Sequence, residues 1–200
     1  MHENMKPHGR TRRIYVGDVP VGGGAPVAVQ SMTCAAADDV AANLAQIEAL
    51  AEAGCEIVRM AIPRRDCLDA FEAVCAASPL PVVADIHFDA RIAIEAARRG
   101  AAKLRINPGN IGGLEATREV IAAAREARIP IRIGVNGGSL EKEILAKYGK
   151  VRPEALVESA MYHVSLLERH DFNDIVISIK SSNVPVVVEA YRQLSLRCDY

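Results

Sequence analysis

The feature that most constrains this chain is an alternation of strand-like and helix-like segments along nearly its whole length. Apolar, β-branched runs at 27–32, 57–62, 81–86, 103–107, 130–135 and 175–180 read as strands. Between them, apolar residues recur at helical spacing over 38–53, 66–76, 89–99, 115–128 and 139–170, with a last helix over 184–197. Asp38 is placed to cap the first helix and Gly54 to close it. The stretch 139–170 reads as two helices broken near Gly149 and Pro153. Such alternation requires parallel strands joined by helical crossovers. The six units fit either an open doubly wound sheet or part of an eight-unit barrel. Ahead of them, 12–21 reads as a short hairpin turning at Gly17 and Asp18, suited to plug the bottom of a barrel.

The strand interiors favour the barrel. Strands buried on both faces should be nearly unbroken aliphatic runs. Here residues two apart, which share a face, are repeatedly polar. Asp85 and His87 share one, as do Arg105 and Asn107, Arg132 and Asn136 (with Gly134 between), and Ser178 and Lys180. Arg59 sits between Val58 and Met60. One face of each strand is thus aliphatic, as outer helices need. The other is polar toward its C-terminal end, where barrel active sites lie. Four cations (Arg59, Arg105, Arg132, Lys180) then meet one carboxylate, Asp85. Cations gathered in a fold's interior need anionic partners. A polyanion such as a diphosphate fits, with arginine forks gripping its oxygens and Asn107 and Asn136 adding neutral donors.

Two glycine-rich turns follow polar strands, at 107–113 and 136–141. They let backbone N–H groups approach an anion, and Ser139 is expected to open a helix whose N-terminus favours one. The run Gly22-Gly23-Gly24 has no Lys-Ser/Thr after it and is a turn, not a phosphate loop.

Composition narrows the partners. Net charge is −1, aromatics are 4% and tryptophan is absent, which argues against nucleic acid. No apolar run approaches the roughly 20 residues that span a bilayer, and the polar start is not a secretory signal. A cytoplasmic location without membrane contact is expected. The five cysteines, Cys34, Cys55, Cys67, Cys75 and Cys198, form no C-x-x-C motif, so they read as buried small apolar residues rather than a disulfide framework or metal site.

Several runs together resemble the 4-hydroxy-3-methylbut-2-enyl diphosphate synthase (GcpE) family. They are Val29-Gln30-Ser31-Met32-Thr33, Val83-Ala84-Asp85-Ile86-His87-Phe88-Asp89, Leu104-Arg105-Ile106-Asn107-Pro108-Gly109 and Ile131-Arg132-Ile133-Gly134-Val135-Asn136-Gly137-Gly138. Ile177-Ser178-Ile179-Lys180 and Glu158-Ser159-Ala160-Met161 fit as well. The resemblance implies that residues 13–200 form a partial TIM-type barrel that binds substrate, after a disordered or extended 1–12. It implies reductive ring opening of 2-C-methyl-D-erythritol 2,4-cyclodiphosphate to the linear allylic diphosphate of non-mevalonate isoprenoid biosynthesis. Electrons would come through a 4Fe-4S cluster held by a C-terminal domain that this chain lacks, with none bound by this chain alone. Ferredoxin or flavodoxin would be the donor, and the full-length enzyme a homodimer. Carried over by motif, Arg59, His87, Arg105, Asn107, Arg132, Asn136 and Lys180 are expected to hold substrate, with Asp85 supporting them.

Two positions depart from the family pattern. Cys34-Ala35 replaces a polar pair after Ser31-Met32-Thr33, and Asn183 stands where aspartate is common. Other readings are a different phosphate-binding barrel, of aldolase or pteroate synthase type with a Schiff base at Lys180, and a non-catalytic fragment that binds partners through open sheet edges.

Overall fold

A computed structural model describes residues 11–107 and 110–200. The expectation for 1–12 therefore falls almost wholly outside the described residues, as do Pro108 and Gly109 of the first glycine-rich turn.

A two-stranded antiparallel hairpin, β1 (Ile14–Val16) and β2 (Val19–Val21), comes first. Six parallel strands then follow in sequence order: β3 (Gln30–Met32), β4 (Ile57–Ala61), β5 (Val82–Asp85), β6 (Lys103–Ile106), β7 (Ile131–Asn136) and β8 (Ile175–Lys180). Their crossovers are α1 (Val40–Glu52), α2 (Leu68–Ala77), α3 (Ala90–Arg98), α4 (Gly113–Ala127) and the pair α5 (Lys142–Tyr148) and α6 (Pro153–Glu168). A final helix, α7 (Val184–Ser195), follows β8. Neighbours in space are neighbours in sequence throughout, the order of an incomplete TIM barrel rather than of a doubly wound sheet, whose strand order reverses.

The two faces of the sheet divide as the strand pattern implies. Val58, Met60, Ala84, Ile86, Leu104, Ile106, Ile131, Ile133 and Val135 pack with the helices in the main core. A second, smaller core joins Ile14 and Val16 of the hairpin to Ile57 and Val83 near the strand starts. The hairpin therefore plugs the N-terminal end of the lumen and leaves the C-terminal end for the site.

Local chemistry shifts several expected boundaries. Asp39, not Asp38, caps α1, accepting from Ala42 N at 2.9 Å. The strand read over 27–32 is regular only from Gln30, and Val27 and Val29 ahead of it are exposed. A 3-10 turn, Arg65–Cys67, precedes α2. Ser139 does not open a helix: Gly137–Ser139 is a 3-10 turn stapled by Asn136, whose side chain accepts from Gly138 N at 3.1 Å, and α5 starts at Lys142. The break between α5 and α6 falls where expected, with Gly149 left-handed (φ 71°) and Pro153 opening α6. Asn183 caps α7, accepting from Val186 N at 3.3 Å, a role its amide oxygen fills as a carboxylate would. Among the described residues no helix is long and apolar enough to cross a membrane.

Candidate anion-binding site at the C-terminal mouth

The mouth is built by strand parity. Arg59 of β4, Asp85 at the end of β5 and His87 two residues beyond it, Arg105 of β6, Arg132 and Asn136 of β7, and Ser178 and Lys180 of β8 line one cavity of about 330 Å³. Tyr191 reaches the same cavity from α7, and its hydroxyl accepts the backbone N–H of Ile179 at 2.9 Å. β8 is an outer strand, so this hydroxyl takes an N–H that no neighbouring strand occupies.

Asp85 is the hub. Its carboxylate is almost fully buried and meets Arg105 Nη1 at 3.2 Å, Arg59 Nε at 3.6 Å and His87 Nε2 at 3.5 Å. Arg59 also donates to the sulfur of Met32, from Nη2 at 3.0 Å. Arg105 Nη1 lies 3.3 Å from His87 Nδ1. His87 is not a core histidine, since just over half of its side chain (54%) is exposed to the mouth.

Among the described residues Arg132 has no such partner. Its Nε is buried without an acceptor. Burial first, and then the neighbouring Arg59 charge, lower its pKa from the usual arginine value. Register places Arg105 directly beside it. Lys180 lies exposed at the end of β8, across from Asn136. Asn107 is buried at the end of β6 and is not among the residues lining this cavity; its carbonyl accepts from Asn110 N at 2.9 Å.

One cation escaped the sequence reading. Lys103 opens β6 with the parity of Arg105, and it is 3% exposed. Its ammonium donates to Gln30 Oε1 at 3.2 Å. Burial, with Arg132 and Arg59 nearby, pushes its pKa down to about 8. It shares the parity of Arg105, but a lysine at a strand start gives no sign of burial in sequence. Tyr191 carried no signal, because it arrives from a helix.

The turn after β7 is anchored from outside the barrel. Glu141 Oε1 lies 2.6 Å from Nε2 of the buried His163 and accepts from Ser159 Oγ at 3.1 Å, both on α6. In the departing loop after β3, Cys34 is exposed rather than buried as expected, and its N–H donates to Gln46 Oε1 at 2.8 Å; of the five cysteines Cys55 and Cys67 are buried. Among the described residues no three of His, Cys, Asp and Glu converge as a metal site.

In chemical terms the mouth is an array of fixed donors around one carboxylate. It can grip a polyanion and stabilise negative charge that develops on it.

Solved structures share the fold. A phospho-2-dehydro-3-deoxyheptonate aldolase from Thermotoga maritima superposes with TM-score 0.59 at 14% identity, covering 91% of this chain and 53% of its own. A dihydropteroate synthase from Yersinia pestis gives 0.55 at 12%, covering 82% and 61%. At such identity these likenesses speak for the barrel alone. Sequence relatives say more. A protein named 4-hydroxy-3-methylbut-2-en-1-yl diphosphate synthase (flavodoxin) from Idiomarina loihiensis is 55% identical over all of this chain and 54% of its own length. One of the same name from Acidithiobacillus ferrooxidans is 51% identical with the same coverage. This chain spans about half the length of the curated relatives it matches. The family model described as the GcpE TIM-barrel domain matches residues 11–200, the same stretch that builds the plugged sheet and its cationic mouth, and the chain belongs to that family.

Proposed function

We propose that this chain supplies the diphosphate-gripping barrel of a 4-hydroxy-3-methylbut-2-enyl diphosphate synthase. The observation that supports it most is the mouth itself, where Arg59, Arg105, Arg132 and Lys180 share one cavity with a single carboxylate. The substrate is 2-C-methyl-D-erythritol 2,4-cyclodiphosphate. Arg105 and Arg59, fixed by Asp85, hold phosphate oxygens in place. Arg132, with its unanswered Nε, and Lys180 complete the grip. As the ring C–O bond breaks, the departing phosphate oxygen gains negative charge, and these preset cations stabilise it without reorganising. Asn136 and His87 add donors at the rim.

In this reading a 4Fe-4S cluster would supply the two electrons of the reaction, with its ligands coming from a C-terminal domain. The relatives' names point to flavodoxin, rather than ferredoxin, as the electron donor. The enzyme would act as a homodimer in this reading.

Calorimetric titration tests the binding role. Methylerythritol cyclodiphosphate should bind saturably, and the unphosphorylated tetrol methylerythritol should not. Equal binding of both, or of neither, would remove the reading.

A further inference from the structure

Gly134 sits in the middle of β7, facing the lumen between Arg132 and Asn136. Nothing in its backbone demands glycine. Its φ is not in the left-handed region. Its strand pairing with β8 runs unbroken from Ile131 to Asn136, so there is no bulge to accommodate. The reason for glycine is next door. A β-carbon here would lie 2.6 Å from both Nε and Nη2 of Arg105 and 2.9 Å from its Cζ. Those three atoms are the nearest it would meet, and all belong to one guanidinium. Nη1 of that same group points away, to Asp85 at 3.2 Å and His87 at 3.3 Å.

We infer that Gly134 is a positioning residue for Arg105: the missing side chain lets the guanidinium lie across β7 and aims it at Asp85 and the mouth. The neighbouring inward positions Asp85, Arg105 and Ser178 all carry side chains, so the gap at Gly134 is local. Alanine there leaves backbone geometry intact and pushes Arg105 off its partners. Glycine is otherwise a poor strand residue, so in the absence of Arg105 the same alanine costs nothing.

The inference rests on the diphosphate reading only for its ligand arm. The test is a double-mutant cycle of Gly134→Ala and Arg105→Ala. It is read by thermal unfolding, by the Arg105 Nε–Hε resonance in NMR, and by titration with inorganic diphosphate. In the parent, Gly134→Ala should move the Arg105 resonance and lower Tm. It should weaken diphosphate about tenfold, as expected for one displaced charge-assisted contact. In the Arg105→Ala background the same change should leave Tm level or raised and affinity unaltered. Equal losses in both backgrounds, failure to fold in both, or an unmoved Arg105 resonance would overturn it. If the parent binds no diphosphate, the functional reading falls, while the resonance and the Tm cycle still decide the role of Gly134.

Discussion

Asp85 and Arg105 face each other across adjacent strands, with Oδ1 accepting from Nη1 at 3.2 Å, and register sets them side by side. Asp85 Oδ2 meanwhile faces Arg59. One buried carboxylate thus orients two of the four mouth cations.

Replacing Asp85 with asparagine keeps the shape and removes the charge. Arg105 and Arg59 are then left part-buried without a countercharge. Because both retain some solvent contact, the loss should be about 1–3 kcal/mol, below the range for a wholly buried broken pair. Chemical denaturation should show it. A bound polyanion replaces the lost charge, so diphosphate should raise Tm more in Asp85→Asn than in the parent.

Lys103 makes stability depend on pH in an unusual direction. Its pKa falls from about 10.4 unfolded to about 8 folded, so between those values the unfolded state holds more protons. Stability therefore rises as pH climbs from about 8 toward 10. Cys75, pushed up to about 12 by burial, acts oppositely above the ordinary thiol range. Lys103→Met isolates the lysine. The variant should be more stable than the parent at pH 7 by roughly 3 kcal/mol, and most of the gap should close by pH 10. A constant gap would contradict the burial of a charged Lys103.

Glu141 links the mouth turn to α6. Burial raises its pKa, but hydrogen bonds from His163 and Ser159 outweigh this and hold it below the usual glutamate value. Its contribution to stability is present above the unfolded pKa and fades as pH drops through the folded one. Glu141→Ala should cost about 1–3 kcal/mol and speed amide hydrogen exchange over 137–148. Exchange unchanged there would show that α6 does not restrain the turn.

Much of this was legible in the sequence, for a physical reason. A strand's period of two forces inward and outward residues apart, so Arg59, Asp85, Arg105, Arg132 and Lys180 could be placed on one face without knowing any contact. Lys103 shares that parity but went unnoticed, because its burial and its contact with Gln30 are set by tertiary structure. The role of Gly134 was hidden because an empty space has meaning only once its neighbour is in place. The Glu141–His163 contact joins residues far apart along the chain, and periodicity says nothing of such pairs. Ser139 failed as a helix start because Asn136 turned the chain into a 3-10 loop first.

The mouth cations are expected to act together on one polyanion. Titration of inorganic diphosphate at several salt concentrations, into the parent and into Arg132→Gln/Lys180→Gln, tests it most directly. The parent should bind saturably and more weakly as salt rises. The double variant should lose about a hundredfold and show a flatter salt dependence. Undiminished affinity in the double variant, or no saturable binding by the parent, would contradict the account.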